Sequence, residues 1–331
     1  MLNTRSARRA VRIVSSAAAS ALLPCAALAW NDYGHELAAY IAYQDLTPDV
    51  RAKVNALLHE HPQYQDLAAM CPDGFDIETH VFMRAATWPD MLRSDRNPMH
   101  ESDHHGPWHY INIPFDIGEV HGPQPVTTWT PGTPPQNVIQ ALARCSADLT
   151  DPATSVVDKA KDVSWIEHMT GDLHQPLHSV ALFSVDYPAG DQGGNLFWIS
   201  FHDRPTKLHG IWDQMLGNSR DSTLIAARGR TLRDNAAFSR SALADQLAHT
   251  TVKDWVDHSA DLARTVVYDN GRLKGVKQTD KERLPKDAPP LPEGYREKAE
   301  AVAEQQIVLA GYRMADELNA LLVAPKPPEA K

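Results

Sequence analysis

The sequence is short of positive charge. It contains 32 Lys and Arg against 42 Asp and Glu, which gives a formal net charge of −10 at pH 7. A protein that follows a nucleic-acid duplex along its phosphates normally clusters Lys and Arg on one face, and this composition excludes a general surface of that kind. If the protein handles phosphate groups, the positive charge must come from elsewhere, and bound metal ions are the obvious source.

Long apolar runs and cysteine are also scarce. Beyond the first 29 residues, no segment reaches the roughly 18 apolar residues that a membrane-spanning helix needs, so no membrane span is expected. Of the three cysteines, Cys25 lies in those first residues, and Cys71 and Cys145 remain. An even pair in an exported protein indicates one disulfide, and two buried thiols are the alternative.

The first 29 residues have the pattern of a secretory signal peptide. A basic segment comes first and an apolar, alanine-rich stretch follows, while small residues at Ala27 and Ala29 place the cleavage site before Trp30. The basic residues are Arg5, Arg8, Arg9 and Arg12. Their removal leaves 28 basic against 42 acidic side chains, a net charge of −14. We therefore predict a signal peptide at 1–29 and a secreted or periplasmic protein that begins at Trp30.

A new N-terminus at Trp30 would have its own chemistry. A free, deprotonated α-amine is a nitrogen donor, and with the carbonyl oxygen of the same residue it can chelate a metal ion in a five-membered ring. His35 offers an imidazole five residues further on. The plain alternative is that Trp30 is only the residue at which the chain starts.

Apolar residues at helical spacing predict a mostly α fold. The predicted helices cover 34–45, 47–60, 80–94, 135–149, 155–182, 208–217, 221–247, 251–268 and 293–322. Only Asn195–Phe201 alternates well enough for a strand, which would form half of a small hairpin. Loops rich in proline and glycine are expected at 114–134, 186–194 and 276–292. We predict a single multi-helix domain over 30–322, with long loops and a small β-hairpin, and a disordered tail at 323–331.

Two pairs of residues have the spacing of a metal site. His168 and Asp172 are four residues apart, so they share one helix face, and His178 follows beyond a proline that bends the axis. His209 and Asp213 repeat the same spacing. A single pair of this kind is common on helix surfaces, but two pairs with a third histidine favour metal binding.

Two further segments carry possible ligands. Asp90 and Arg93 place a carboxylate and a guanidinium three residues apart on a predicted helix. His109 lies between Trp108 and Tyr110, where a histidine is often a hydrogen-bonded core residue. The remaining cluster, which consists of His100, His104 and His105, is interpreted as part of a polar loop.

From Trp30 to about Leu322, the chain resembles the zinc-dependent single-strand-specific nucleases of fungi and the bifunctional nucleases of plants, a family that also has bacterial members and shares its fold and metal site with zinc-dependent phospholipase C. The motifs that carry the resemblance are Trp30 with His35, Trp88-Pro89-Asp90, His109-Tyr110-Ile111, the segment from His168 to His178, Gly193-Gly194-Asn195 and His209-Gly210-Ile211-Trp212-Asp213.

The resemblance implies three Zn²⁺ ions held by nine residues. One ion is held by Asp90, His109, His168 and Asp172. The second is held by His35, by the amine and carbonyl of Trp30, and by Asp172, whose carboxylate bridges. The third is held by His178, His209 and Asp213. Nitrogen and oxygen donors without thiolate suit zinc, and three such ions against three carboxylates leave the site near +3. A net-negative protein with this site still attracts a phosphodiester.

The resemblance also assigns roles in catalysis. A zinc-bridged hydroxide attacks phosphorus, and Arg93 stabilises the charge that develops on the phosphate, beside the catalytic carboxylates Asp90 and Asp172. Substrate contacts fall to Asn195 and Gly194, which follow a glycine that permits close approach, and to Tyr110, which stacks on a base. At the position that matches Asn112, the family usually carries Asp, which pairs with the catalytic arginine. Asn cannot supply that charge, so the resemblance implies that Arg93 is held differently here.

The sequence therefore predicts a monomeric, exported, zinc-dependent nuclease that cleaves single-stranded DNA and RNA, and 3′-nucleotides in addition. Two alternatives stay open. A zinc-dependent phospholipase C is the nearest, although its last ligand pair typically ends in Glu where this chain has Asp213. A periplasmic zinc-binding protein without catalysis is the other, but zinc storage needs neither Arg93 nor Asn195.

Overall fold

The computed structural model describes residues 30–278 and 284–323, so the predicted signal peptide and the predicted tail from residue 324 lie outside it. The fold is mostly α, as the sequence predicts. The helices are α1 (Asp32–Asp45), α2 (Pro48–His59), α3 (Tyr64–Ala68), α4 (Ile77–Ala85), α5 (Trp88–Met91), α6 (His100–Asp103), α7 (Val138–Thr150), α8 (Val156–Leu173), α9 (Leu208–Asp213), α10 (Ser222–Asp234), α11 (Ala244–Leu247), α12 (Val252–Leu262) and α13 (Tyr295–Leu322). The strands are β1 (Ile113–Asp116), β2 (Val180–Phe183), β3 (Phe197–Phe201), β4 (Arg204–Lys207) and β5 (Val276–Lys277).

Helix α8 lies at the centre of the fold. Ser155 caps its start, because the serine oxygen accepts the backbone N–H of Asp158 at 3.1 Å. From Val163 to Leu173 every residue is buried, and α1, α2, α7 and α13 pack around it. A helix buried on all sides has no solvated face, so each polar side chain in this stretch needs a partner inside the protein.

Helix α1 brings the beginning of the described chain to α8. Its cap is Asn31, whose side-chain oxygen accepts the N–H of Gly34 at 3.1 Å. The helix packs between α13 and α10, and the residues from Tyr33 to Tyr43 are buried. Its first turn, which carries His35, therefore faces the interior beside α8.

Two small sheets complete the fold. Strands β3 and β4 form the predicted hairpin, and β5 pairs with the other edge of β3. Strands β1 and β2 pair in parallel, with Ile113 opposite Val180. This second pair was not predicted, since β1 begins just before the predicted loop 114–134 and β2 overlaps the end of the predicted helix 155–182.

Several predicted helices are too long. The helix predicted over 155–182 ends at Leu173, and a 3₁₀ turn at Pro176–His178 leads into β2. Proline at 176 cannot donate to the helical ladder, and the apolar segment behind it finds backbone partners in β1 instead. The prediction over 80–94 likewise divides into α4 and α5. The predictions over 208–217 and 221–247 run past the ends of α9 and α10, whereas the prediction over 251–268 is matched by α12 and the π-helical segment Ala263–Val267 that continues it.

The predicted disulfide is wrong, and the alternative of free thiols describes the structure. Cys71 follows α3, and its Sγ contacts the backbone oxygens of Pro72 and Phe75 at 3.8 and 3.7 Å. Cys145 is buried on α7, where its thiol is hydrogen-bonded to Asp162 of α8. Each sulfur is thus engaged in its own surroundings. Over the ranges that the structure describes, no helix combines the length and apolarity needed to cross a membrane.

Candidate metal centre

Three groups of histidine and aspartate side chains meet around the C-terminal half of α8. Within each group, one potential ligand atom from every member lies within 4.8 Å of the others. We call them the His35 group (His35, His168, Asp172), the Asp90 group (Asp90, His109, His168) and the Asp213 group (His178, His209, Asp213). The eight predicted side-chain ligands are therefore all brought together by the fold.

Asp172 joins the first two groups through its two carboxylate oxygens. Its Oδ1 lies 3.3 Å from Nε2 of His35, whereas its Oδ2 lies 3.2 Å from Nδ1 of His109 and 3.1 Å from Nε2 of His168. The carboxylate is fully buried, and Oδ1 is also 3.8 Å from Nδ1 of His178. One carboxylate thus faces two clusters of nitrogen donors, which is the position of a bridging ligand.

His168 is held in the orientation that a ligand needs. Its Nδ1 donates to the backbone oxygen of Ala86 at 2.8 Å, so the lone pair of Nε2 faces His109 and Asp172. Its ring stacks on that of His35, with centroids 4.0 Å apart. Hydrogen bonds of this kind fix the tautomer of metal-binding histidines.

The close approach of His35 requires glycine at 171. A Cβ built on Gly171 would lie 2.7 Å from Nδ1 of His35, which no real Cβ contact allows. The glycine in the Thr170-Gly171-Asp172 sequence therefore makes room on α8 for the imidazole that α1 supplies.

The Asp213 group is assembled from α9 and the 3₁₀ turn after α8. Nδ1 of His178 donates to the oxygen of His109, and Nδ1 of His209 donates to the oxygen of Gly193, both at 2.6 Å. On the carboxylate side, Nε2 of Gln175 donates to Oδ1 of Asp213 at 2.8 Å. Each ligand candidate in this group is therefore oriented by a backbone or amide partner.

Arg93 reaches the centre through Asp90. Its Nη2 lies 2.9 Å from Oδ1 of Asp90, and that oxygen lies 3.7 Å from Nδ1 of His109. Asp90 lies on the short helix α5, and Arg93 follows in the turn after it, where its backbone N–H donates to the oxygen of Asp90 at 3.1 Å. Asn112, where the resembled family usually carries an acid, is exposed, so the carboxylate that holds Arg93 in this chain is Asp90.

Trp30 lies beside the same centre. Its side chain is buried and packs on Gly34, where a Cβ would lie 2.7 Å from the Cβ of Trp30. The next residue, Asn31, donates its backbone N–H to the oxygen of Asp213 at 3.2 Å. The described chain therefore begins between the Asp213 group and the first turn of α1, which carries His35.

The electrostatics of the centre suit a cation. Burial lowers the pKa of His35, and burial together with the charge of Arg93 lowers the pKa of His109 to about 3, so both imidazoles are neutral donors. Burial would raise the pKa of Asp172, but the imidazoles of His168 and His178 hold it well below the usual range. For Asp213, burial prevails and its pKa is raised.

Several buried polar atoms of the centre lack a hydrogen bond to any other described residue. They are both ring nitrogens of His35, Nε2 of His109, Oδ1 of Asp172 and Oδ2 of Asp213. Leaving such groups unpaired costs about 1–3 kcal/mol each. Divalent cations would satisfy most of them, and the donor set of imidazoles and carboxylates without thiolate fits zinc. The residues present therefore fit the metal ions that the sequence implies.

Comparison with known proteins agrees with this geometry. The model of the S1/P1 nuclease family matches residues 30–323. The chain belongs to the S1/P1 nuclease family. Nuclease S1 of Aspergillus oryzae is 23% identical over 337 residues, which cover 96% of this chain and 99% of that protein.

Plant proteins are also similar. Endonuclease 4 of Arabidopsis thaliana is 25% identical over 205 residues, or 57% of this chain and 56% of the plant protein. Endonuclease 2 of the same plant is 24% identical over 233 residues, or 69% and 66%. The chain thus spans a little over half the length of the first of these plant relatives and about two thirds of the second.

The predicted substrate contacts of this S1/P1 family member lie next to the metal groups. Gly193 and Gly194 have positive φ angles of 59° and 81°, and a Cβ on Gly193 would lie 2.3 Å from the oxygen of Leu177. Asn195 follows with its side chain largely buried, and its Nδ2 donates to the oxygen of Gln192 at 3.0 Å. Because Gly193 also accepts from His209, this loop is fixed to the Asp213 group.

Tyr110 directly follows His109, and its half-buried ring lies beyond the 3₁₀ turn that supplies that histidine. Its backbone oxygen accepts the N–H of Val138 at 3.1 Å, which ties the segment to α7. Stacking of Tyr110 on a base stays a prediction.

Sequence reasoning missed two residues that support the centre. Gln175 orients Asp213, and its Oε1 accepts the N–H of Leu177 at 2.6 Å. Asp191 accepts the N–H groups of Leu182 and Gly194 at 2.9 and 3.0 Å, and so anchors the glycine loop. Gln175 lies within the segment from His168 to His178, and Asp191 lies two residues before Gly193. Their nearness to these motifs is the sequence signal that could have identified them.

The histidines that were not predicted as ligands have other partners. His174 donates from Nδ1 to the oxygen of Thr170 at 2.7 Å, and its Nε2 accepts from Arg313 at 2.8 Å. His100 and His104 stack on each other with centroids 5.0 Å apart, and neither belongs to a metal group in the part of the chain that is described.

Proposed function

We propose that the protein is an exported phosphodiesterase that uses three zinc ions to hydrolyse single-stranded DNA and RNA, and that also acts on 3′-nucleotides. The observation that carries the proposal is the position of Asp172, whose two oxygens face His35 on one side and His109 with His168 on the other. A carboxylate between two sets of nitrogen donors suits a pair of ions that act together on one phosphate.

The ligand sets proposed are those implied by the sequence. Trp30, His35 and Asp172 would hold one ion, and the Asp213 group would hold another. The third would lie among Asp90, His109, His168 and Asp172. Bound zinc would supply a water that ionises near neutral pH, together with positive charge opposite the phosphate.

The protein's own residues then position the substrate. The Arg93 guanidinium, held by Asp90, would donate to the phosphate oxygens on which charge accumulates in the transition state. Asn195 would present its amide to a nucleobase, with Gly194 allowing close approach of the sugar–phosphate chain. These assignments need a substrate that bends into a recess rather than one that lies along a flat face.

The recess above the centre favours single strands. Asp90 and Asp213 both line a cavity of about 390 Å³, whose lining also includes Tyr33, Met91 and Arg220. The volume matches a small-molecule site rather than a groove for a duplex. Together with the deficit of basic residues, it supports a flexible nucleic-acid strand as the substrate.

The decisive experiment measures metal content and hydrolysis on protein that begins at Trp30. Single-stranded DNA, duplex DNA and a lecithin substrate are compared with and without chelator. We expect three zinc ions per chain, preferential cleavage of the single strand, and loss of that cleavage with chelator. Dominant release of headgroup from lecithin would replace the nuclease by a phospholipase C, and zinc binding without any hydrolysis would replace it by a zinc-binding protein.

A pair of histidine variants controls the experiment. His209→Ala removes one predicted ligand of the Asp213 group and should lower both zinc content and cleavage. His121→Ala changes an exposed histidine whose Nδ1 is 3.0 Å from Asp116, outside the three groups. Equal effects of both substitutions would contradict the proposed site.

A further inference from the structure

A second recess lies beside the metal centre and has a different chemistry. It is a cleft of about 760 Å³ between the 3₁₀ turn that precedes Tyr110, the segment 129–135 and one face of α7. Flat rings line it, namely those of His104, His105, Trp108 and Trp129, together with four prolines and Arg144. We call it the tryptophan cleft.

The lining of the tryptophan cleft favours planar uncharged groups over phosphates. The Arg144 guanidinium is paired with Asp148 at 2.8 Å and lies 5.1 Å from the Trp108 ring, so its charge is already balanced. Burial, with the charge of Arg144, lowers the pKa of His105 to about 4, which keeps this imidazole neutral. His105 in turn stacks on Trp108 with centroids 3.9 Å apart. Neutral stacked rings offer π-faces, which nucleobases of any sequence recognise.

Trp129 belongs to the lining of the cleft, and its loop is fixed. Its indole Nε1 donates to the oxygen of Thr133 at 2.9 Å, across a turn. The loop is tied to α7 just before the ring, because Nε2 of Gln140 donates to the oxygens of Val126 and Thr128 at 2.9 and 3.2 Å. A ring held in place before binding loses little conformational entropy when a base stacks on it.

The cleft continues from the proposed catalytic residues. His104 lines the cleft, and its pKa is lowered by burial and by the charges of His100 and Arg93. Trp108 directly precedes His109, and Trp165 contacts both rings, with centroids 4.9 and 5.4 Å away. Because the charge of Arg93 acts on His104, which lines the cleft, a strand whose phosphate lies at Arg93 would reach the cleft past His104.

We propose that the tryptophan cleft is a base-stacking subsite, in which Trp129 and His105 bind nucleobases of a single strand whose scissile phosphate lies at the metal centre. The proposal rests on the proposed function, since it adds a length-dependent binding site to the same reaction. It explains how a protein with excess negative charge holds an extended strand, because base stacking needs no phosphate contacts.

The test uses processed, zinc-loaded protein with the substitution Trp129→Ala. The two substrates are a dinucleoside monophosphate and a single strand of about 12 nucleotides. The longer strand lies within the range of lengths that single-strand binding sites cover in other proteins. We expect the KM for the longer strand to rise about tenfold or more, because one stacked base contributes about that much affinity. The kcat for the longer strand and both parameters for the dinucleoside should stay unchanged. Trp129→Phe keeps a ring and should restore most of the affinity.

The control is Phe238→Ala, which removes a half-buried ring from the 3₁₀ turn Ala236–Phe238. Binding is measured in parallel by fluorescence anisotropy with a phosphorothioate strand, so the subsite is tested even if no hydrolysis occurs. Unchanged affinity for that strand in Trp129→Ala would overturn the subsite. An equal rise in the KM for the dinucleoside would overturn it too. If the wild type hydrolyses nothing but Trp129→Ala still loses affinity for the phosphorothioate strand as expected, the proposed function alone is overturned and the subsite stands.

Discussion

At the scale of single residues, Asp172 has the most constrained position in the protein. It is fully buried, it lies one turn after His168 on α8, and both of its oxygens face imidazole nitrogens. Asp is short enough to keep its carboxylate close to the helix, so that one oxygen reaches across to His35 on α1. The interior of α8 carries this charge because the imidazoles of His168 and His178 stabilise it.

The first prediction concerns Arg93. We expect Arg93→Ala to keep all bound zinc and to lower kcat on single-stranded DNA about 10²–10³-fold, because a donor aimed at developing phosphate charge contributes mainly in the transition state. Metal analysis and steady-state kinetics measure the two quantities. Arg96→Ala, three residues further along and exposed, is the matched control and should leave both unchanged. Unchanged kcat in Arg93→Ala would refute the assigned role.

The sequence predicts the ligand candidates better than their supports. His168 with Asp172 and His209 with Asp213 follow from helical spacing, and the fold brings both pairs to one place. The orienting partners of these histidines are backbone oxygens, such as that of Ala86, and a backbone oxygen has no sequence signal. Gln175 could be found only as a polar residue inside a motif, since its contact with Asp213 spans 38 positions.

At the scale of elements, the packing of α7 on α8 includes a buried acid. Asp162 on α8 is hydrogen-bonded to the Cys145 thiol on α7, and its Oδ2 has no hydrogen-bond partner among the described residues. Burial raises the pKa of Asp162 from 3.8 to about 7, which the hydrogen bond of Cys145 only partly offsets. The folded protein therefore holds a proton that the unfolded chain releases near its ordinary pKa.

This arrangement predicts how stability depends on pH. A raised folded-state pKa means that the contribution of Asp162 is fully present below pH 4 and is lost as pH rises through about 7. Asp162→Asn removes the ionisation, so its free energy of unfolding relative to wild type should increase between pH 5 and pH 8, by up to about 3 kcal/mol. Urea unfolding at both pH values measures the difference.

Asp203→Asn, on the exposed turn between β3 and β4, is the control for that measurement. Asparagine tolerates the positive φ of 57° at this position, so the backbone is undisturbed. A pH-dependent gain of the same size in Asp203→Asn would show that the effect does not come from the α7–α8 interface.

Elements whose apolar residues repeat with a clear helical period could be predicted from the sequence. Strands that form only by pairing with a segment far away in the sequence could not. Helices α1, α2 and α13 lie within two residues of their predicted bounds, because each has its own apolar face or cap. The parallel pair of β1 and β2 was missed, since Ile113 and Val180 are far apart in sequence and neither strand alternates on its own. Buried strands of four residues resemble helix turns or loops until their partner is known.

At the scale of the whole molecule, negative charge and a phosphate substrate are compatible only if the cations are local. The chain carries a net charge of −10, and the three carboxylates of the proposed centre also repel a phosphate until metal ions are bound. Positive charge confined to a recess attracts one phosphate without giving the protein a basic surface that binds nucleic acid non-specifically. Complete loading of the centre is therefore a condition for substrate binding as well as for chemistry.

The proposed ligand set makes complete loading depend on where the mature chain begins, and this gives the last prediction. If the free amine of Trp30 is a ligand, a tag or retained residue ahead of it turns that amine into an amide, which is not a donor of lone pairs at neutral pH. Such a protein should lose the zinc shared by His35 and Asp172 and most of its hydrolysis, while the Asp213 group keeps its ion. Metal analysis and single-strand cleavage of N-terminally tagged and C-terminally tagged protein measure this, with the C-terminal tag as the control. Three zinc ions and full activity in the N-terminally tagged form would show that Trp30 is only a buried indole packed on Gly34.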